Sequence, residues 1–363
     1  MTSLTDLFLR KGADRRLRGG HLWVYSNEVD SDRSPLPGFA AGDPVAVRSA
    51  DGRLLGSAYM EPNALICARV YAPRRECAPD DALFTDALRQ ALSLRQRFFQ
   101  QPFYRLVYGD SDLLPGLVID RFGDSLVMQL NNAGIERYEP VLVTALVELL
   151  QPAGVLLRAD SRARREQNLD DRVEVVYGEV PEVVALEENG VRFEAPVHGG
   201  QKTGWFYDHR LSRARLQQLV AGRDVLDVYS YIGGWGVQAA VAGAAAVCCI
   251  DSSEAALEGA LRNAAINGVD ASVRVAPGRA DAVMQTLAGE VERFDVVVLD
   301  PPAFIQRRRD LKKGIAAYRR INELGLRLLK PGGLLVAGSC SMHLPRADLV
   351  SALQGAARRA DCE

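Results

Sequence analysis

The sequence predicts an α/β protein whose C-terminal half is a doubly wound parallel sheet, preceded by a small β-rich unit and a central α+β unit. Three observations predict it. From about residue 196, apolar runs of strand length alternate with helical patterns. The first such run, 224–228, leads into Gly233-Gly234-Trp235-Gly236, a turn where glycines let a helix start close to a ligand. The run Val296-Val297-Val298-Leu299 ends in Asp300-Pro301-Pro302-Ala303-Phe304: a carboxylate, a rigid turn and an aromatic ring at a strand's carboxyl end.

Residues 1–78 read as the β-rich unit. Gly42-Asp43-Pro44 starts a strand, Asp51-Gly52 is a hairpin turn, and 65–71 is a further strand. Residues 73–79 read as a linker. In the central unit, 79–195, helices are expected at 81–100 and 138–150, and strands at 116–120, 125–130, 173–177 and 191–194. That order suggests helices flanking a small antiparallel sheet. The last unit, 196–363, has strands at 224–228, 246–250, 272–275, 295–299 and 334–338. Its helices are expected at 234–243, 253–267, 280–289, 314–329 and 345–359.

Composition narrows the function. The chain has 363 residues, 48% hydrophobic and 25% charged, which is ordinary for a globular protein. A net charge of −2 means that any nucleic-acid surface must be a local patch. There is no apolar run long enough for a membrane span and no signal-peptide pattern, so a cytoplasmic protein without a membrane partner is expected. The six cysteines, Cys67, Cys77, Cys248, Cys249, Cys340 and Cys362, form no CxxC pair and no disulfide-like spacing. Cys248 and Cys249 sit inside an apolar strand and read as core. No metal site is expected.

The candidate ligand site follows from the strand ends. Asp227 is in the first strand, Asp251 ends the second, Asp281 follows the third and Asp300 follows the fourth. A carboxylate after the second strand commonly accepts hydrogen bonds from ribose hydroxyls, and one after the third could meet an adenine amino group. Such a series suits a ligand with ribose, adenine and an ammonium, and it repels pyrophosphate. This favours S-adenosyl-L-methionine over a dinucleotide.

The stretches GGQKTGWFYDHR (199–210), LDVYSYIGGWGVQAA (226–240), IDSSEAALEGALRNAAINGV (250–269), FDVVVLDPPAF (294–304) and GSCS (338–341) resemble the large-subunit (23S) rRNA cytosine-5 methyltransferases that carry an N-terminal PUA domain. LRKGADRRLRGGHLWVYSNEV (9–29) resembles the opening of that PUA domain, and YRLVYGDSDLLPGLVIDRFGD (104–124) the family's central domain. The resemblance implies a PUA-like RNA-binding domain at 1–78, a central domain at 79–195, and a Rossmann-like class I methyltransferase domain at 196–363. The family domain normally continues into two further strands after the last helix, so the domain is expected to lack its last strands here.

The resemblance also implies roles. Cofactor binding would fall to Lys202, Thr203, Gly204, Tyr229, Ser230, Tyr231, Gly233, Gly234, Asp251, Asp281 and Asp300, with Asp208 and Arg210 near the first group. The alternative for 202–210 is a solvated connector. His209 replaces the glutamine more usual at its position. Cys340 would be the nucleophile that adds to C6 of cytosine, activating C5 for methylation. Asp300 would bond the N3/N4 edge, and Phe304 would stack on the extruded base. The partner would be 23S rRNA, deproteinised or in early assembly, with a homodimer among the assemblies left open. Arg307, Arg308 and Arg309 follow the Asp-Pro-Pro turn, and Arg15, Arg16 and Arg18 precede His21, Trp23 and Tyr25. Both groups are candidates for phosphate contacts, although a charge run is often only a solvated face and Trp23 suits the core equally well. Two other readings remain: an enzyme acting on an exocyclic amine (adenine N6 or guanine N2), and a non-catalytic RNA-binding homologue.

Overall fold

Short strands build the first sheet: β1 (Thr5–Phe8), β2 (Trp23–Tyr25), β3 (Pro44–Arg48), β4 (Leu54–Met60) and β5 (Ile66–Pro73), in the order β1-β3-β4-β5-β2. The computed structural model describes residues 4–360, so Cys362 lies outside the described residues. Helix α1 (Arg15–Arg18) lies between β1 and β2, and the Asp51-Gly52 turn joins β3 to β4. Leu7, Val24, Val45, Val47, Met60 and Val70 fill this core.

The second sheet contains β6 (Phe103–Tyr108), β7 (Leu117–Phe122), β8 (Ser125–Leu130), β9 (Gly154–Ala159) and β10 (Arg172–Gly178), in the order β10-β9-β8-β7-β6. Helix α2 (Asp81–Phe98) starts where the Asp80 carboxylate accepts from the Leu83 amide at 2.8 Å, and it buries Phe84, Leu88 and Ala91. The expected antiparallel sheet is in fact mixed, because β8 and β9 run parallel. Helices α3 (Ala133–Glu136) and α4 (Glu139–Leu150) form the crossover that returns the chain in the same direction. Strand β9 escapes sequence reading because all of its residues are buried, which removes the alternation. The short helix α5 (Arg162–Arg165) precedes β10.

Strands β11 (Val183–Glu188) and β12 (Val191–Pro196) form a hairpin around Asn189-Gly190, both at positive φ (54° and 77°). The chain divides into two compact units, Met1–Leu186 with Pro196–Tyr207, and Glu187–Ala195 with Asp208–Glu363. The sequence suggests one passage near 195, whereas the chain crosses three times. The reason is local. Glu188 at the hairpin's tip accepts from Arg213 at 2.6 Å and Gln238 at 3.0 Å, whereas Val197 beyond it accepts from Arg158 at 2.6 Å.

From Asp208 the second unit continues with α6 (Arg210–Gln217). Its sheet is β13 (Asp224–Val228), β14 (Ala246–Asp251), β15 (Val273–Pro277), β16 (Phe294–Leu299) and β17 (Leu329–Ala337), all parallel, in the order β15-β14-β13-β16-β17. Helices α7 (Gly236–Val241), α8 (Glu254–Ile266), α9 (Ala280–Gly289), α10 (Leu311–Arg327) and α11 (Arg346–Arg359) connect and cover it. Val296, Val297 and Val298 are fully buried, as a central parallel strand requires. In register, Val228 lies beside Ile250 and Leu299, and Leu299 beside Ala337. The residues that follow these strands therefore share the sheet's carboxyl edge. The strand order reverses around β13, the usual place for a ligand in such a sheet.

Candidate functional site

The turn after β13 is a strained cradle. Tyr229 and Tyr231 hold φ of 66° and 50°, a left-handed conformation that side chains seldom adopt, and Gly233 holds 83°. A Cβ on Gly236 would stand 2.7 Å from Cys249 Sγ, so α7 can begin this close to β14 only with glycine there. The Gly236 amide donates to Asp227 Oδ2 at 2.8 Å. Asp227 is fully buried and its Oδ1 has no hydrogen-bond partner. Burial pushes its carboxyl up to about 7, against the opposing pull of the Gly236 amide.

Asp251 is held from both sides. Its Oδ2 accepts from the Tyr231 amide and its Oδ1 from the Ser253 amide, each at 2.9 Å. Each carboxylate oxygen keeps a further lone pair, and the two together suit a pair of vicinal hydroxyls. Asp251, Tyr229, Gly278, Asp281 and Phe304 line a pocket of about 230 Å³. Asp281 accepts from the Ala282 amide at 3.1 Å and pairs with Arg279 at 3.1 Å and Arg320 at 3.4 Å. Its bond to Arg279 holds its carboxyl below the usual range. The glycine-permitted approach, the orphaned buried oxygen of Asp227 and the fixed carboxylates fit the three parts of S-adenosylmethionine. Arg320 could not stand out beside Asp281 in the sequence, because it comes from α10, 39 residues away.

A second cluster joins the ends of β16 and β17. The Cys340 thiol is exposed and donates to the Pro301 carbonyl at 3.6 Å. The serines around it do the holding. Ser341 Oγ accepts from the Ile305 amide at 3.1 Å and shares a proton with the Tyr318 hydroxyl at 2.8 Å, while Ser339 Oγ donates to that hydroxyl at 2.9 Å. The thiol-bearing loop is thereby tied to α10 and to the Asp-Pro-Pro turn. Sequence reasoning singled out the cysteine and missed Tyr318, whose part depends entirely on long-range contacts.

Asp300 receives the Trp235 indole N–H at 3.1 Å on Oδ2, and His209 Nε2 lies 3.4 Å from Oδ1. Burial alone would raise its carboxyl, but His209, Trp235 and Arg213 together lower it, so Asp300 is an anion. The same pairing raises the His209 imidazole above its ordinary range, against burial and Arg213. Phe304 packs on Tyr318 at 4.8 Å between ring centroids and forms a wall of the pocket that Asp251 and Asp281 share.

Lys202, Thr203 and Gly204 belong to the first unit. There Thr203 is fully buried and its hydroxyl donates to Asp120 at 2.6 Å. The Lys202 ammonium lies 4.8 Å from the Phe206 ring, and Gly204 holds φ of 97° where a Cβ would strike the Pro196 carbonyl at 2.7 Å. In α1, Arg16 pairs with Glu28 at 2.8 Å and Arg18 with Asp14 at 2.5 Å, so much of that patch is neutralised. Trp23 is half-buried and donates to Asp110 at 3.0 Å. Arg307, Arg308 and Arg309 are exposed and, among the described residues, make no ion pair.

Residues 142–360 match a family model described as S-adenosylmethionine-dependent methyltransferase, and residues 7–73 a PUA-like domain. Over 343 residues the chain is 37% identical to the ribosomal RNA large subunit methyltransferase I of Vibrio cholerae, covering 92% of this chain and 85% of that protein. The protein of the same name from Tolumonas auensis is 35% identical, covering 93% and 86%. A solved candidate SAM-dependent methyltransferase from Streptococcus mutans superposes with a TM-score of 0.83 at 21% identity, over 98% of this chain and 90% of that one. A solved candidate methyltransferase in complex with SAH also gives 0.83 at 21% identity, over 97% and 90%.

Proposed function

This chain belongs to the S-adenosylmethionine-dependent methyltransferases, and we propose that it methylates C5 of a cytosine in large-subunit (23S) rRNA through a Cys340–C6 adduct. The observation that carries the reading is the thiol of Cys340 against the Asp300-Pro301 turn, 3.6 Å from the Pro301 carbonyl. Methylation of carbon needs such a nucleophile. C5 of cytosine is too electron-poor to react unaided, and a thiolate bonded to C6 supplies the missing density.

In this reading Asp251 takes the ribose hydroxyls, Asp281 the adenine amine, and the turn at 229–236 surrounds the amino-acid end, with Asp227 deep behind it. Phe304 flanks the adenine. The cofactor supplies an electrophilic methyl group beside the base. Cys340 gives up its proton and its sulfur bonds to C6. The C5=C6 electron pair shifts towards C5 and N3, and C5 takes the methyl. Loss of the C5 proton to solvent, departure of the sulfur as thiolate and return of the N3 proton to it restore the ring and the thiol. Asp300 accepts hydrogen bonds from the N4 amine and from N3 once that atom is protonated, a two-point contact for a carboxylate. Arg307, Arg308 and Arg309 supply positive charge for the phosphates around the extruded nucleotide.

The test is Cys340→Ser. The variant should bind cofactor and RNA nearly as the parent does but lose methyl transfer, since a hydroxyl is a far weaker nucleophile at neutral pH. RNA carrying 5-fluorocytosine should form a covalent adduct with the parent and none with the variant, because fluorine cannot leave as a proton does. Parental rates in Cys340→Ser would replace this reading with transfer to an exocyclic amine.

A further inference from the structure

His209 stands at the start of α6 with its Nε2 3.4 Å from Asp300 Oδ1. On the carboxylate's other oxygen the Trp235 indole donates at 3.1 Å, and the two rings lie 5.5 Å apart between centroids. Both holders are themselves anchored. Arg213, one turn along α6, donates to the buried Glu188 at 2.6 Å, and its guanidinium lies 5.8 Å from the Trp235 ring. Gln238 of α7 donates to the same Glu188 oxygen at 3.0 Å. One carboxylate thus has a donor on each oxygen, and both donors sit on anchored elements.

We propose that His209 is a positioning and specificity residue: paired with Asp300 opposite Trp235, it keeps that carboxylate aimed at the base edge, so the site favours cytosine over uracil. This rests on the reading that Asp300 meets the base edge. The chemistry at C5 does not itself choose between the two pyrimidines, because a thiolate can add to C6 of either. The edge does. As sulfur bonds to C6, the proton released from Cys340 is balanced by one gained at N3. Cytosine then presents N3–H and N4–H side by side, which an ionised carboxylate accepts as a pair. The uracil adduct presents one N3–H beside an O4 that carries the added electron pair as an enolate, and that anionic oxygen would face a carboxylate oxygen.

The charges facing the imidazole are Asp300 and Asp208, which favour its protonated form, and Arg213, which opposes it; Asp227 faces Asp300 from the adjacent strand. As pH rises through the raised imidazole pKa, the positive partner of Asp300 is lost. Methyl transfer to cytosine should therefore carry an alkaline limb.

Two measurements test this. The chain has only 4 histidines, so the His209 resonance can be assigned in the free protein by its absence from His209→Gln. Its NMR titration should lie above the ordinary imidazole range and fall back in Asp300→Asn. An ordinary midpoint, unmoved by Asp300→Asn, overturns the pairing. This arm does not depend on which atom is methylated, so it stands apart from the fate of the C5 reading. The second uses transcribed 23S rRNA with labelled cofactor, carrying C or U at the mapped target. His209→Ala should lower single-turnover transfer to cytosine roughly ten- to hundredfold, the range for a lost bond to a charged group, and narrow the preference over uracil. His209→Gln, a donor without charge, should recover part of the rate but lack the alkaline limb. Variants that keep the parental pH profile and the parental preference overturn the proposal.

Discussion

At Asp227 burial works against stability. Its carboxyl is pushed up to about 7 by burial, whereas in the unfolded chain it titrates near the ordinary aspartate value of about 4. Below that value both states are protonated and there is no penalty. As pH rises from about 4 to 7 the unfolded chain ionises first, so stability is lost across this window and stays lower above it. Asp227→Asn should therefore match the parent's melting temperature at pH 4 and exceed it at pH 8, because the amide oxygen can still accept from Gly236 without a charge. The same variant should bind S-adenosylmethionine more weakly in calorimetry. Equal melting temperatures at pH 8 would show that the carboxyl titrates normally. A sequence shows that an aspartate occupies a strand; it does not show that one oxygen is satisfied and the other orphaned.

At the scale of the element, the turn from β13 into α7 joins local sequence to long-range fit. The glycines were legible as a turn, and the five strands of the second unit were legible from their apolar runs. The reason for Gly236 was not, since the obstacle is Cys249 Sγ on the neighbouring strand, 2.7 Å from where a Cβ would sit. Gly236→Ala should cost roughly 1–3 kcal/mol, the usual range for forcing an extra methyl into a packed site, read as a lower denaturation midpoint. Gly289→Ala, at a helix end with nothing within 4 Å, is the control and should be neutral or mildly stabilising. A similar fall in both variants would assign the effect to backbone flexibility rather than to packing. The elements missed in the sequence have separate causes. Strand β9 is buried along its length and so lacks alternation, and β1 has only four residues.

Across the whole molecule, charge is spread thinly and its pairing decides where it can act. A net charge of −2 offers no general attraction to RNA. The cations of α1 are largely matched by Glu28 and Asp14, whereas Arg307, Arg308 and Arg309 are exposed without ion pairs among the described residues. Replacing those three with alanine should reduce the slope of log K against log salt for rRNA binding by roughly 0.7–0.9 for each phosphate no longer neutralised. An unchanged slope would make the run a solvated face. By itself the sequence determined the doubly wound domain, the series of strand-end carboxylates and the thiol that follows β17, because periodicity and motif spacing are local properties of a chain. Only the tertiary structure decided which partners those groups meet, Trp235 and His209 on Asp300 and Tyr318 on the serines beside Cys340, and that β8 pairs parallel with β9. Those interactions join residues far apart in the chain, and their energies depend on burial and direction, which no spacing in a sequence encodes.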